Sequence, residues 1–329
     1  MPSAKRLGLL ETCEFLKDHN DYLILTHSMP DGDTLGSAYA LCAGLLKLGK
    51  NARVICADNI PEKYSYFTGQ VQFPEFRTET VISVDVADIK LLGGLAGEYE
   101  GKISLAIDHH VSHREFADNL FLDGTAAACA ECIYDILNTM CIPLDDAMVQ
   151  ALYTGIATDT GCFKFSNVTP KTHIIAAELM AYGFDFSEIN RIMFDTKSKN
   201  RMEIEKKALG SVEMHFSDRC AIISVTRKMM KESGCTDDDL EGITAMPRSI
   251  EGVLVGVTMR QREGKRWKIS MRSYPPIDVS KICNKMQGGG HAYASGCELH
   301  GTARQVKAEI LKHVKTALED TLAGDNSSK

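Results

Sequence analysis

The sequence predicts an α/β protein in which a mostly parallel sheet covered by helices is joined, through a helical linker, to a smaller α+β domain. In the first half, short β-branched runs alternate with helical stretches, which is typical of parallel sheets with helices on their faces. In the second half, strand-like runs follow one another across turns, which indicates hairpins. The predicted limits are 1–186 for the first domain, 187–210 for the linker, 211–322 for the second domain and 323–329 for a frayed tail.

The elements of the first domain are predicted from apolar runs bounded by polar segments. The run Tyr22-Leu-Ile-Leu-Thr26 predicts a buried strand, and the apolar helix after it ends at Gly49, because glycine adopts the left-handed conformation that closes a helix. The predicted elements are helix 5–18, strand 22–26, helix 34–48, strands 53–56, 81–84 and 103–107, and helices 125–140, 144–158 and 170–182.

The linker and the second domain have different patterns. Residues 187–210 are highly charged and helical in pattern, without a strand signal. Beyond them, the turn residues Arg262-Glu-Gly-Lys265 separate two β-rich runs and predict a hairpin. The predicted strands are 219–226, 253–260 and 267–273, and a helix over 302–322 ends the domain.

Composition and charge limit the classes of partner. The apolar content of 44% and the charged content of 25% are ordinary for a globular protein. A net charge of −7 gives no global attraction for long duplex nucleic acid, although a short ligand can still be held by local arginines and metal ions. No apolar run reaches the length of a membrane span. The eleven scattered cysteines and the absence of a signal-peptide pattern at the first residues predict a reducing cytoplasm.

Acidic and imidazole side chains follow the predicted strands and one predicted helix of the first domain. In a parallel sheet, the residues after the carboxyl ends of the strands converge on one crevice. Converging carboxylates repel one another unless cations neutralise them, and a set of carboxylates and imidazoles without thiolates suits Mn²⁺ or a similar divalent ion. The candidates are His27, Asp31 and Asp33; Asp85; Asp108, His109 and His110; and Asp159 at a helix end.

Each of these residues also has a structural interpretation. A single aspartate after a strand is usually a helix cap or a turn former, and Asp88 is excluded from the site as such a cap. A single histidine is more often a hydrogen-bonded structural residue. The ordered combination of HxxxDxD, a strand-end aspartate, DHH and a late aspartate favours a metal site over these interpretations.

The second domain contains candidate substrate-binding residues. In the strand 267–273, the side chains of Lys268, Ser270 and Arg272 share one face, and Arg272 can hold a phosphate with two parallel hydrogen bonds. Three glycines let backbone amides approach a phosphate or base closely. For the neighbouring cations, a solvated hairpin face is the favoured interpretation; they are Arg260, Arg262, Lys265 and Arg266. The candidates are Arg272, Ser273, Gly288, Gly289, Gly290 and His291.

A Cys129-Ala-Glu-Cys132 motif lies in a predicted helix. No second pair completes a zinc site, and the spacing places both thiols on one helix face, which favours core packing over redox chemistry. The small residues after Thr125 open this helix, and its first amides are candidates for contact with an anion.

Together these motifs resemble the DHH phosphoesterase superfamily over nearly the whole chain, with a DHHA1 domain at the C-terminus. The order of the HxxxDxD, Asp85, Asp108-His109-His110 and Asp159 segments reproduces the family signature, and Gly288-Gly-Gly-His291 is similar to the DHHA1 substrate loop. Gln287 departs from the pattern, since many relatives have a further glycine there. The resemblance implies two ions. One is held by His27, Asp31 and Asp85, and the other by Asp33, Asp85, His109 and Asp159. It also implies that Asp108 orients a histidine and that His110 contacts the scissile phosphate.

Length and spacing are most similar to the NrnA-like nano-RNase branch. This implies two divalent cations, most simply Mn²⁺, and hydrolysis of short oligoribonucleotides of roughly two to five residues to 5′-mononucleotides, with 3′-phosphoadenosine 5′-phosphate (PAP) as a further substrate. The alternatives are a phosphodiesterase for linear or cyclic dinucleotides, an inorganic pyrophosphatase, which lacks such a glycine loop, and a nucleotide-binding module without catalysis. The sequence leaves the oligomeric state open, a homodimer included.

Overall fold

The computed structural model describes residues 4–240 and 242–326, and the chain divides into two compact units, 1–196 and 197–329. The boundary falls inside the segment 187–210, which is helical on both sides of it. The predicted frayed tail, 323–329, lies partly in the last helix, which is described to Asn326, and partly outside the described residues. Within the described part, no helix is both long enough and apolar enough to cross a bilayer.

The first unit is a parallel sheet with the strand order β1-β6-β5-β4-β2-β3, which confirms the predicted fold class. The sequence interpretation missed the outer strands β1 and β6 because both are short and have exposed or half-buried residues. The strands are β1 Lys5–Arg6, β2 Tyr22–Leu25, β3 Ala52–Ile55, β4 Thr80–Val84, β5 Leu105–Asp108 and β6 Asn119–Leu122. The helices are α1 Leu9–Asp18, α2 Gly32–Lys47, α3 Ser65–Thr68, α4 Ala96–Tyr99, α5 Cys129–Thr139, α6 Asp146–Asp159, α7 Pro170–Met180 and α8 Phe186–Asn190, with further helical turns at Glu62–Tyr64, Ile89–Leu95 and Arg191–Asp195.

The sheet of the first unit is covered on both faces. All four residues of the central strand β2 are buried, as expected for a parallel strand between two layers. Tyr22 and Ile24 pack in one apolar cluster with residues of α2, α5 and α6, whereas Leu23 and Leu25 pack in a second cluster with Val86. The strand ends are therefore held between two hydrophobic layers, which fixes the positions of the polar residues that follow them.

Helices α2 and α6 approach closely enough to bring their termini together. A Cβ atom at Gly36 would lie 2.2 Å from the carbonyl oxygen of Ala151, so only glycine permits this distance. Asp31 is the N-cap of α2, where its carboxylate accepts hydrogen bonds from the amides of Asp33 and Thr34. Helix α6 ends at Asp159. The contact between the helices thus sets the spacing between Asp33 and Asp159.

The second unit contains a mixed sheet with the strand order β11-β12-β10-β9-β8-β7, in which β8 and β9 are parallel and the other neighbours antiparallel. The predicted hairpin is confirmed, since β9 and β10 pair across the turn 262–265. The elements are α9 Lys199–Leu209, β7 Glu213–His215, β8 Cys220–Val225, α10 Arg227–Ser233, β9 Val255–Gln261, β10 Arg266–Ser273, α11 Val279–Asn284, β11 Gly289–His291, β12 Ala294–His300 and α12 Ala303–Asn326.

The core of the second unit lies between the sheet and the last helix. Trp267, Ile269 and Met271 are buried and alternate with less buried residues along β10, as predicted from the period of two. They pack in one cluster with Val306 and Ile310 of α12. All eleven cysteines lie in the described part of the chain and are free.

Candidate metal centre

Three neighbouring strands of the first unit end beside one another. Strands β5, β4 and β2 are adjacent in the sheet, and their carboxyl ends lead directly to Asp108-His109-His110, Asp85 and His27. The end of α6 adds Asp159. The structure therefore brings together the residues that the sequence predicted to converge, although they come from segments more than a hundred residues apart.

The first group of candidate ligands consists of His27, Asp31 and Asp85, with one ligand atom from each within 4.8 Å of the others. The Nε2 atom of His27 lies 3.6 Å from Oδ1 of Asp31 and 3.9 Å from Oδ2 of Asp85. The Nδ1 atom of His27 contacts the Ser28 carbonyl oxygen at 2.9 Å. This backbone contact orients the ring and leaves Nε2 available to an ion.

The second group consists of Asp33, His109 and Asp159. The Nε2 atom of His109 lies 3.8 Å from Oδ2 of Asp33 and 3.6 Å from Oδ2 of Asp159. It also lies 3.6 Å from Oδ1 of Asp85. The two carboxylate oxygens of Asp85 thus face different groups, since Oδ2 is directed to His27 and Oδ1 to His109.

Backbone geometry and helix amides hold the acidic residues in place. Asp85 has a φ of 58°, a left-handed conformation that is uncommon for a residue with a Cβ atom and is found disproportionately at functional sites. Asp33 accepts hydrogen bonds from the amides of Cys129 at 2.6 Å and Ala130 at 2.9 Å. The anion that meets the first amides of α5 is therefore the Asp33 carboxylate. Cys129 and Cys132 are both buried, as the core-packing interpretation predicted.

Burial and mutual repulsion raise the pKa of three of the carboxylates. Desolvation, followed by the charge of Asp33, raises the pKa of Asp85 well above its ordinary value. Desolvation and the charge of Asp159 raise the pKa of Asp33 to about 7, and desolvation and the charge of Asp31 raise the pKa of Asp159 to about 6. For Asp31, burial opposes ionisation, but the hydrogen bond and charge of His27 outweigh it and lower the pKa.

Two buried atoms among the candidate ligands have no hydrogen-bond partner in the described part of the chain. They are Oδ1 of Asp85 and Nε2 of His109. Buried polar atoms are nearly always paired, so an unpaired carboxylate oxygen opposite an unpaired imidazole nitrogen requires an explanation. Asp85 and His109 would be suitable ligands for a divalent cation, which would satisfy both atoms and reduce the repulsion among the carboxylates. The residues present therefore fit metal ions, as the sequence predicted.

Asp108 forms a third group of possible ligands with Asp85, His109 and His110, and its hydrogen bonds go to backbone amides and to a histidine. Its Oδ1 atom accepts hydrogen bonds from the amides of His109 at 2.7 Å and His110 at 3.1 Å, and from Nδ1 of His110 at 2.8 Å. This last hydrogen bond, together with the charge of Asp108, raises the pKa of His110. The Nδ1 atom of His110 is thus held by Asp108, while its side chain stays 43% exposed.

The sequence interpretation missed His113. Its side chain is fully buried, its Nδ1 accepts a hydrogen bond from the amide of Glu115 at 2.9 Å, and its Nε2 lies 3.9 Å from Oδ2 of Asp108. Neither of the last two atoms has another partner. Desolvation lowers the pKa of His113, which favours the neutral ring. The spacing from His110 gave no signal, because a third histidine three residues later fits neither the motif nor a strand period.

The predicted glycine loop of the second unit is an edge strand. Gly289, Gly290 and His291 form β11 and pair with Gly296, Ser295 and Ala294 of β12, and all three are exposed. A Cβ atom at Gly288 would lie 2.2 Å from the carbonyl oxygen of Gly296. Gly288 and Gly290, where a Cβ atom would lie 2.7 Å from the Ala294 carbonyl oxygen, are therefore required for packing, whereas a Cβ atom at Gly289 would meet nothing closer than 3.9 Å.

Gln287, at the start of this loop, has a φ of 60°. This left-handed conformation favours glycine, the residue that the resemblance leads one to expect at this position. Its amide donates a hydrogen bond to the carbonyl oxygen of Asn284 at the end of α11. The chain therefore makes this turn with a side chain that costs it some strain.

Arg272 lies beside a second arginine that the sequence interpretation missed. Desolvation and the charge of Arg248 lower the pKa of Arg272. The Arg248 guanidinium lies 4.5 Å from the centre of the Tyr274 ring. Gly256, which pairs with Arg272 across β9 and β10, is required here, because a Cβ atom would lie 2.5 Å from the Arg248 amide nitrogen. Arg248 was missed because it lies in an irregular segment without strand or helix periodicity.

Ser273 requires a correction. It was predicted to join Arg272 in contacting substrate, but it lies on the opposite face of β10 and is buried, and its hydroxyl donates a hydrogen bond to the Ile277 carbonyl oxygen at 2.7 Å. Consecutive residues of a strand point to opposite faces of the sheet, so the side chains of Arg272 and Ser273 lie on different faces. Ser273 supports the turn after β10, and the structure places it outside the predicted substrate-binding group.

Two groups of histidine and aspartate side chains at the strand ends of a parallel α/β unit, with Asp85 between them, are typical of metal-dependent phosphoesterases. The model of the DHH family, N-terminal domain, matches residues 21–156, and the model of the DHHA1 domain matches residues 219–320. Together with a relative that is 31% identical over 90% of this chain, these matches show that the chain belongs to the DHH family, has the DHHA1 domain as its C-terminal part and is a phosphoesterase.

Relatives align over most of the chain. A bifunctional oligoribonuclease and PAP phosphatase NrnA from Thermus thermophilus is 31% identical over 302 residues, covering 90% of this chain and 89% of the relative. A protein of the same name from Bacillus subtilis is 26% identical over 287 residues, with 85% and 90% covered. The crystal structure of an exopolyphosphatase-related protein from Bacteroides fragilis has the same fold, with a TM-score of 0.82, 23% identity and 95% of each chain covered.

Proposed function

We propose that the chain hydrolyses short oligoribonucleotides to 5′-mononucleotides with two divalent cations, and that it also removes the 3′-phosphate of PAP. The observation on which this mainly rests is the position of Asp85, whose two oxygens face two separate groups of ligands. The relatives named as oligoribonucleases and PAP phosphatases support the choice of substrates, because they align with both units of this chain.

In this proposal, the first ion is held by His27, Asp31 and Asp85. The second is held by Asp33, Asp85, His109 and Asp159, and carboxylate with imidazole ligands makes Mn²⁺ the preferred ion. Bound ions supply a hydroxide nucleophile at neutral pH and stabilise the charge that develops on the phosphoryl oxygens. The amides of α5 and the backbone carbonyl beside His27 fix the ligand atoms before an ion arrives.

His110 has the role of contacting the scissile phosphate and protonating the leaving oxygen. The hydrogen bond from Nδ1 to Asp108 fixes the ring and places its other nitrogen, Nε2, on the opposite edge. The raised pKa of His110 keeps the ring protonated to a higher pH than that of a free histidine, as a proton donor requires. Asp108 therefore acts as a positioning residue.

The second unit supplies the substrate contacts in this proposal. Arg272 and the loop of Gly288, Gly289, Gly290 and His291 bind a phosphate of the substrate that is not cleaved. The exposed edge strand β11 and the half-buried guanidinium of Arg272 offer suitable donors for it, because edge strands present backbone amides outward. The net charge of −7 and the free cysteines support a substrate range without long duplex nucleic acid and a location in the reducing cytoplasm.

A substrate panel tests the proposed reaction. With Mn²⁺, we expect kcat/KM to be highest on RNA of two to five nucleotides and to fall by about tenfold or more on 24-mers. Release of 5′-mononucleotides is followed by chromatography, with PAP, pApA, cyclic di-AMP and pyrophosphate assayed in parallel. Equal rates on short and long RNA would refute the length preference. A rate on cyclic di-AMP or pApA far above that on other dinucleotides would favour the dinucleotide phosphodiesterase instead.

Replacing Arg272 by alanine tests the substrate contacts. We expect KM for a dinucleotide to rise by about tenfold or more with a smaller change in kcat, because a charge-assisted contact of about 1.5–3 kcal/mol to a non-reacting phosphate is lost. The matched control is Lys268→Ala, since Lys268 lies on the same strand but is exposed. Steady-state kinetics of both variants decide the matter, and an unchanged KM in Arg272→Ala would remove Arg272 from the substrate site.

A further inference from the structure

The second unit contains a cavity of about 720 Å³ beside α10 and the turn between β9 and β10. Its cationic lining residues are Arg227, Lys231, Arg260, Arg262 and Arg266. Three carboxylates also line it, so positive side chains are in excess by two among the described lining residues. The sequence pattern favoured a solvated hairpin face for three of these arginines, whereas the structure gathers them around one concave space. We name this space the arginine cavity.

The carboxylates of the arginine cavity pair with only part of its positive charge. Asp237 pairs with Arg260 and lies 3.5 Å from Arg262. Glu298 lies 3.6 Å from Arg266. The side chains of Arg227 and Lys231 form no ion pair with any residue in the described ranges, although both line the cavity. Arg227 and Lys231, both exposed on α10, are therefore the cations of the cavity without an ion-pair partner among the described residues.

A buried donor in the same place is also unsatisfied. The Nε atom of Arg260 is buried and has no hydrogen-bond partner among the described residues. A buried guanidinium nitrogen without a partner costs free energy unless an acceptor reaches it. Arg260 is held between β8 and β10, opposite Val225 and Lys268, so the sheet fixes its backbone.

The arginine cavity is separate from the predicted substrate loop. Arg266 and Arg272 lie at opposite ends of β10, six residues apart, which corresponds to roughly 20 Å along a strand. The loop pairs with β12 near Ala294, whereas Arg266 pairs with His300 at the other end of that strand. One phosphate group cannot contact both places.

We propose that the arginine cavity binds a nucleoside monophosphate through its phosphate group. An excess of two positive charges matches a dianionic phosphate monoester, and guanidinium groups bind phosphate oxygens with two parallel hydrogen bonds. The volume exceeds that needed by a phosphate ion and lies within the range of sites for small organic ligands. Met230 and the guanidinium planes provide surface on which a nucleobase stacks. This inference does not rest on the proposed reaction, because the cavity shares no residue with the metal centre or the glycine loop.

Calorimetric titration with adenosine 5′-monophosphate (AMP) tests the proposal. The protein is the full chain with Asp85→Ala and Arg272→Ala, in EDTA, so that neither metal nor the predicted substrate loop supplies the signal. We expect one AMP to bind per chain, with affinity that falls as salt is added. Adding Arg227→Ala and Lys231→Ala should weaken binding by about tenfold or more. Both residues are exposed, and Arg227→Gln with Lys231→Gln repeats the test if the alanine pair unfolds.

The matched control is Lys228→Ala, which removes an exposed charge from the same helix. Lys228 lies 3.8 Å from Glu232 and does not line the cavity, so AMP affinity should be unchanged. Adenosine and inorganic phosphate are titrated separately and should each bind at least about tenfold more weakly than AMP. The proposal is overturned by absence of AMP binding, by equal affinity in the cavity variants, or by adenosine or phosphate binding as tightly as AMP.

Discussion

Replacing Asp85 by alanine is expected to reduce kcat/KM on a dinucleotide by roughly a thousandfold or more in the presence of Mn²⁺. Asp85 is the residue that faces both ligand groups, with one oxygen 3.9 Å from Nε2 of His27 and the other 3.6 Å from Nε2 of His109. In the proposed site, its loss would remove a ligand from each of two ions, whereas loss of Asp31 or Asp159 would remove a ligand from a single ion. The measurement is Mn²⁺-dependent release of mononucleotides, together with the number of Mn²⁺ ions bound at equilibrium.

Asp88→Ala is the matched control for this substitution. Asp88 lies three residues after Asp85, outside both ligand groups, and its carboxylate caps a helical turn by accepting a hydrogen bond from the Lys90 amide at 3.0 Å. Its replacement should cost about 1 kcal/mol of stability and leave the metal-dependent rate near that of the wild type. If Asp85→Ala retained more than about a tenth of the activity with full metal occupancy, the bridging role of Asp85 would be wrong.

The convergence of the candidate ligands was predictable because it depends on topology that the sequence pattern reveals. Parallel strands end at the same edge of a sheet, so an aspartate after β4 and a histidine after β5 must become neighbours once the strands are recognised. The cap function of Asp88 was predicted from the same pattern and is confirmed. The hydrogen-bond partners of Asp33 could not be predicted from the sequence. The Cys129 amide lies ninety-six residues away, and its direction depends on how α5 packs.

In the second unit, the sequence pattern did not predict which side chains come together around Arg272. Arg248 contacts Tyr274 and lies beside Arg272 only because a glycine on β9 lets an irregular segment approach the sheet. No local periodicity indicates such a contact. Ser273 was grouped with Arg272 from adjacency in sequence, but the pleat of β10 separates them. Side-chain groups formed by irregular segments therefore require coordinates, whereas groups formed by strand ends do not.

The carboxylates of the metal centre should destabilise the metal-free protein as the pH rises. The pKa of Asp33 is raised to about 7 and that of Asp159 to about 6, above the values of about 3.9 expected in the unfolded chain. The folded state therefore binds more protons between about pH 4 and pH 7, so its stability falls as the pH rises through this range. Mn²⁺ replaces these protons, and we expect its stabilising effect to be larger at pH 7.5 than at pH 5.5.

The substitution Asp85→Asn should show how much of the pH dependence of stability comes from the carboxylates of the candidate metal centre. The Asp85 carboxylate is buried, makes no side-chain hydrogen bond within the described ranges, and has a raised pKa, so a neutral amide removes desolvation and repulsion without breaking a hydrogen bond. In EDTA at pH 7.5, we expect a gain of roughly 2 kcal/mol, or about 5 °C in melting temperature, together with loss of the shift caused by Mn²⁺. Asp88→Asn is the control, since its carboxylate is outside both groups. Melting curves at several pH values, with EDTA or Mn²⁺, test this prediction. If the metal-free Asp85→Asn protein were no more stable than the wild type at pH 7.5, the carboxylates would not repel one another. The interpretation of this group as a cation site would then be wrong.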